Sequence, residues 1–103
     1  MTEGLVELVR GFRAALVRFS PELFSGEDCA VLVEELAMAE KTCAAARVRA
    51  AARAAACGAH KDRGFADPSD WMARAAGTST AAAKAALDMA AALDELPEVR
   101  AAL

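Results

Sequence analysis

Few side chains in this sequence could carry a reaction. Among 103 residues there is one histidine, His60, with three cysteines, Cys29, Cys43 and Cys57, and no tyrosine, asparagine or glutamine. Proton transfer and nucleophilic attack need such groups in small constellations, a nucleophile beside a base and the base beside an orienting acid. His60 falls on a polar, glycine-flanked stretch that spells out no such triad, and a solvated side chain is expected there. Cys57-Gly58-Ala59-His60 has the spacing of half a zinc site. A structural zinc takes four ligands, and Cys43 and Cys29 lie fourteen and twenty-eight residues before Cys57, roughly 21 and 42 Å along a continuous helix. One molecule with an unbroken helix can neither gather that site nor bridge these thiols. Buried, inert cysteines are expected, with no bound metal, no cofactor, no small-molecule substrate and no catalysis.

The other chemistry open to the chain is contact with nucleic-acid phosphates. Arg49 and Arg53 are four apart and share a helix face, with Lys61 and Arg63 just beyond, a patch suited to several salt-sensitive backbone contacts. The competing reading is a solvated face balanced by neighbouring acids. The stretch from Trp71 to Leu93 has the spacing of a helix-turn-helix, a short helix, a glycine-containing turn and a longer helix capped by serine. In such a motif Ser79, Thr80, Ala83 and Lys84 would approach the major groove of duplex DNA. Without Asn or Gln there is no bidentate adenine contact, so readout would fall to arginine or Lys84 on guanine. A plain αα-hairpin packed for structural reasons competes with this reading.

The elements that must position these residues are helices. Twenty-nine alanines, seven valines, no isoleucine and 5% aromatics leave too little β-branched and aromatic material for a sheet. An all-α single domain is expected over 1–103, a small bundle with one long central helix. Leu5, Leu8, Val9, Phe12, Leu16 and Phe19 recur at three- and four-residue steps and predict a first helix over 3–18 with one apolar stripe. Pro21 breaks it, with Ser20 as a natural cap. Ser25 followed by Asp28 resembles a capping box and opens a second helix, 26–58. There Cys29, Leu36, Cys43, Ala50 and Cys57 repeat every seven residues, with Leu32, Ala39 and Ala46 three further on, a coiled-coil-like seam of small residues. Arg53 interrupts it, and the helix is expected to leave the core by then. Gly58 to Asp67 reads as a loop. Asp67-Pro68 starts a helix over 68–76, Gly77 stops it as a left-handed cap, and Thr78-Ser79 opens another over 79–95. Its stripe is Ala83, Ala86, Leu87, Ala90 and Leu93, with Trp71 and Met72 anchoring the same core. Leu96-Pro97 leads into a short last helix, 97–103.

Charge is unevenly placed. The net charge is −3, which argues against general affinity for nucleic acid or membrane. Residues 1–40 hold three arginines and eight acids, whereas 41–63 hold six basic residues against Asp62 alone. An odd cysteine count and an N-terminal apolar stretch broken by Glu7, Arg10 and Arg13 point to a reduced, cytoplasmic setting without a signal peptide. No apolar run approaches the ~20 residues of a membrane span.

The segments Val33-Glu34-Glu35-Leu36-Ala37, Asp67-Pro68-Ser69-Asp70-Trp71-Met72-Ala73, Gly77-Thr78-Ser79 and Leu93-Asp94-Glu95-Leu96-Pro97 occur in an order that resembles the domain of unknown function 222 family. This actinobacterial helical domain, also called the thirteen-E-twelve repeat family, often stands N-terminal to an HNH endonuclease domain, and the resemblance covers about residues 28–103. It implies association with DNA-processing proteins. With one histidine and no asparagine the chain cannot hold an HNH active site, so it reads as a fragment or a short relative keeping the helical part.

The leading expectation is therefore a non-catalytic domain that helps place an HNH-type protein on DNA. Arg49, Arg53, Lys61 and Arg63 would contact phosphates, and Ser79, Thr80 and Lys84 would lie near the groove. The alternative is a self-association or protein-interaction module with no DNA role. In that case the seam of Cys29, Leu32, Leu36, Ala39, Cys43, Ala46 and Ala50 pairs with the same helix of another copy in a homodimer.

Overall fold

A computed structural model describes residues 3–94 and is all-α, with no strand among the described residues. The helices are α1 (Glu3–Val17), α2 (Gly26–Ala56), α3 (Ala59–Asp62), α4 (Pro68–Ala76) and α5 (Thr80–Asp94), with one 3-10 turn at Pro21–Leu23. The expected helix over 97–103 lies outside the described residues. The chain divides into two compact units, Met1–Met38 and Ala39–Leu103.

The first unit is amphipathic helix without a core. Leu5, Leu8, Val9, Phe12 and Leu16 form the apolar stripe of α1, yet all are exposed, and no residue of α1 is buried. Pro21 ends the helical run by opening the 3-10 turn, in which the Phe24 amide donates to the Pro21 carbonyl at 3.1 Å. Ser20, expected to cap, makes no side-chain cap hydrogen bond, since the single 3-10 turn behind it is held by main-chain bonds. The Phe19 and Phe24 rings pack across this turn at 5.4 Å. Ser25 does act as the cap of α2: its Oγ accepts from the Asp28 amide at 3.0 Å, and Glu27 and Asp28 place negative charge in the first turn, where the helix dipole favours it.

The second unit holds the core. Ala51 of α2, Met72 and Ala73 of α4 and Ala83 of α5 are buried, with Val48, Trp71, Ala86 and Leu87 packed against them. Local chemistry sets this hairpin. Asp67 Oδ1 accepts from the Ser69 amide at 2.8 Å, with Pro68 at the first helical position. Gly77 adopts φ 69°, the left-handed conformation that a Cβ disfavours, and its amide and that of Thr78 both donate to the Ala73 carbonyl. Ser79 Oγ then accepts from the Ala82 amide at 3.1 Å and caps α5.

Three expectations change here. Gly58, at φ 77°, does not open a loop but redirects the chain into the short helix α3. The C-terminal part of α2 carries the packed residues Val48 and Ala51, so this helix enters the core of the second unit where it was expected to leave one. Val48 and Ala51 lie about 160° and 100° round the helix from Ala50, on a different side from the heptad positions. Within the second unit the heptad positions Cys43, Ala46 and Ala50 are exposed. Cysteines are the third change, because Cys43 and Cys57 are exposed and Cys29 is half-buried.

Candidate nucleic-acid interface and association surface

Arg49 and Arg53 lie one turn apart on the last turns of α2, and Lys61 and Arg63 lie on and just after α3. All four are exposed. Among the described residues Arg49, Arg53 and Lys61 pair with no carboxylate, so their charges are free to meet an external anion. Arg63 is differently placed. Its Nη1 donates to the Ala59 carbonyl at 3.3 Å, and its guanidinium lies over the Trp71 ring.

The expected groove-facing residues are already engaged. Ser79 Oγ is the α5 cap, the Thr80 hydroxyl donates to Asp70 Oδ1 at 3.3 Å, and Lys84 Nζ meets Asp88 Oδ2 at 3.0 Å. Ala83, the fourth residue of that set, is buried in the core. The face of α5 that a helix-turn-helix would turn to DNA is thus partly the face that closes the hairpin. The exposed Lys84–Asp88 pair costs little to break, but Asp70 and Asp88 bring negative charge to the surface a phosphate would approach.

The seam residues of α2 behave in two ways. Cys29, Leu32, Leu36 and Ala39 are half-buried, whereas Cys43, Ala46 and Ala50 are exposed. Within the first unit, Phe19, Phe24, Asp28, Cys29, Val31, Leu32 and Glu35 line an open groove of about 410 Å³. Its walls are mainly apolar, and the thiol of Cys29, one of its lining residues, donates to the Pro21 carbonyl at 3.7 Å. The Phe19 and Phe24 pair flanking Pro21 is the sequence signal of this groove.

His60 is the residue most misjudged from sequence. It is 5% exposed, and its Nδ1 has no hydrogen-bond partner among the described residues. Gly58 turns the chain so that α3 packs against α4, and this turns the imidazole inward from a stretch whose composition reads as solvated. Among the described residues, no three His, Cys, Asp or Glu side chains gather where they could hold a metal ion. No helix of the described residues is long and apolar enough to cross a membrane.

No family model, curated protein or solved structure matches the chain.

Proposed function

We propose that this chain is a non-catalytic helical association module whose working surface is the first unit. One observation carries the reading: from residue 3 to residue 38 no side chain is buried, although α1 carries a full apolar stripe. A stripe of that width on a helix is ordinarily the face turned to a core. Left open, it is the kind of apolar patch that marks a binding surface. The groove beside Phe19 and Phe24 adds a recess suited to one large apolar side chain.

Hydrogen exchange on the whole chain tests this. At ~1 µM the α1 amides should exchange rapidly, since isolated helices of this length are marginal in water, and they should gain protection when a partner is supplied or the concentration raised. Protection of α1 equal to that of α4 and α5 at every concentration would show the stripe to be covered by its own chain and would sink the reading.

A second reading, contact with the DNA backbone in the setting of an HNH-type protein, is supported by a separate observation, the exposed Arg49, Arg53 and Lys61, which pair with no carboxylate among the described residues. These side chains lie in the second unit, so the two readings do not compete for the same residues.

A further inference from the structure

Resting on the association reading above, we infer that the groove of the first unit takes a basic amphipathic helix of another protein. One large apolar side chain enters the recess, and two cations meet Asp28 and Glu35. The recess is apolar by construction. Phe19 and Phe24 pack across the 3-10 turn, and Cys29, Val31 and Leu32 of α2 complete the lining. Phe24 is 53% and Val31 49% exposed, so the groove still has apolar surface to cover.

Charge names the occupant. Asp28 and Glu35 line the same groove, and seven residues of helix set them about 10.5 Å apart along α2 and within about 20° of one face. Leu32 stands between them. Both acids are exposed, and among the described residues neither pairs with a lysine or arginine. A helix carrying Lys or Arg at the same seven-residue interval, with an apolar side chain between, answers both carboxylates and the recess together. An extended segment fits less well. No strand among the described residues offers an edge to its main chain, whereas a helix satisfies its own N–H and C=O groups.

A second copy is a poor occupant. The first unit, Met1–Met38, carries seven acids against three arginines, so two such units repel each other. The basic stretch 41–63 has the right charge, but its one large aliphatic side chain, Val48, packs against the core of the second unit.

Fluorescence anisotropy on the full chain tests the inference with a labelled, alanine-rich helical peptide that bears two arginines seven residues apart and a leucine midway. The peptide should bind, and more weakly at ~0.5 M salt than at ~0.05 M, because exposed pairs are screened. Alanine in place of its leucine should weaken it at least about tenfold, and glutamates in place of its arginines should abolish binding. Asp28→Asn with Glu35→Lys should weaken the arginine peptide about tenfold. Glu35→Lys alone should gain affinity for a peptide with one arginine changed to glutamate, a recovery that an unfolded variant would not show. No binding of the arginine peptide overturns the inference, as does equal binding of the glutamate peptide. A mass that doubles on concentration and no longer doubles after Phe24→Glu also overturns it, because a second copy then fills the groove. Should the peptide fail while the α1 amides gain protection on concentration, the association reading stands with a different occupant; α1 protected at every concentration removes that reading too.

Discussion

The Arg63 guanidinium lies over the Trp71 indole, 5.9 Å from the ring centroid, and so ties the end of α3 to α4. The same guanidinium donates through Nη1 to the Ala59 carbonyl at 3.3 Å, which fixes its head group twice. Of the four cations in the basic patch, this one has a structural task in its own chain.

Arg63→Ala should therefore lower the stability of the second unit by about 1 kcal/mol, the size of an exposed cation–π contact with a hydrogen bond added. Arg63→Lys should recover only part, since a lysine keeps the charge but loses the planar stack. Thermal unfolding followed by circular dichroism reads this as a shift of several degrees. Arg53→Ala, on an exposed face, should leave the transition in place. Identical melts for Arg63→Ala and Arg53→Ala would show that the stacking stabilises nothing.

Alanine positions along the chain differ in what they tolerate. Ala83 is 1% exposed, at the centre of the hairpin core, and Ala83→Leu should cost about 1–3 kcal/mol by overpacking. Ala50, a seam position by heptad count, is exposed, and Ala50→Leu should change stability by no more than ~0.5 kcal/mol in dilute monomer. Chemical denaturation of both variants distinguishes them. Equal costs would place the packed face of α2 on the heptad positions rather than on Val48 and Ala51.

What could be read in advance follows from how local each determinant is. Asp67-Pro68, Gly77 and Ser79 act within one turn of themselves, and the structure shows each in the conformation its chemistry requires. The all-α class was legible for the same reason, since composition sums many local preferences. His60 was not, because its burial depends on where α3 packs, which neither glycine beside it specifies. On the alanine-rich α2, small residues fit a 3.5- and a 3.6-residue repeat about equally well over two turns, so the packing of Val48 and Ala51 in the second unit has no distinct signal in the sequence. In the candidate DNA surface, exposure of Arg49 and Arg53 agreed with their spacing. The engagement of Thr80 by Asp70 joins residues ten apart, and no spacing rule announces it.

His60 offers a test of how a polar group sits in so small a core. Its Nδ1 is buried without a partner among the described residues, and an unmet hydrogen bond costs about 1–3 kcal/mol of stability. His60→Leu should be neutral or stabilising, because it fills a similar volume and removes that cost. His60→Ala should destabilise by about 2 kcal/mol through the cavity it leaves. Denaturant midpoints compare the two, and a large loss on His60→Leu would mean that the imidazole makes a bond that matters.

Duplex DNA titrated at several salt concentrations separates the patch from the hairpin. If Arg49 and Arg53 each neutralise a phosphate, Arg49→Glu with Arg53→Glu should flatten the plot of log affinity against log salt by about two units, each contact contributing ~0.9. Lys84→Ala and Thr80→Ala should change neither slope nor affinity. Lys84 sits beside Asp88 and Thr80 holds Asp70, so a neighbouring carboxylate offsets what either side chain offers a phosphate. Loss of binding on Thr80→Ala with the arginines indifferent would move the contact to the start of α5 and revive a groove-reading role. No binding even at ~50 mM salt, where phosphate contacts are strong, would remove the DNA reading and leave the α1 surface as the chain's means of association.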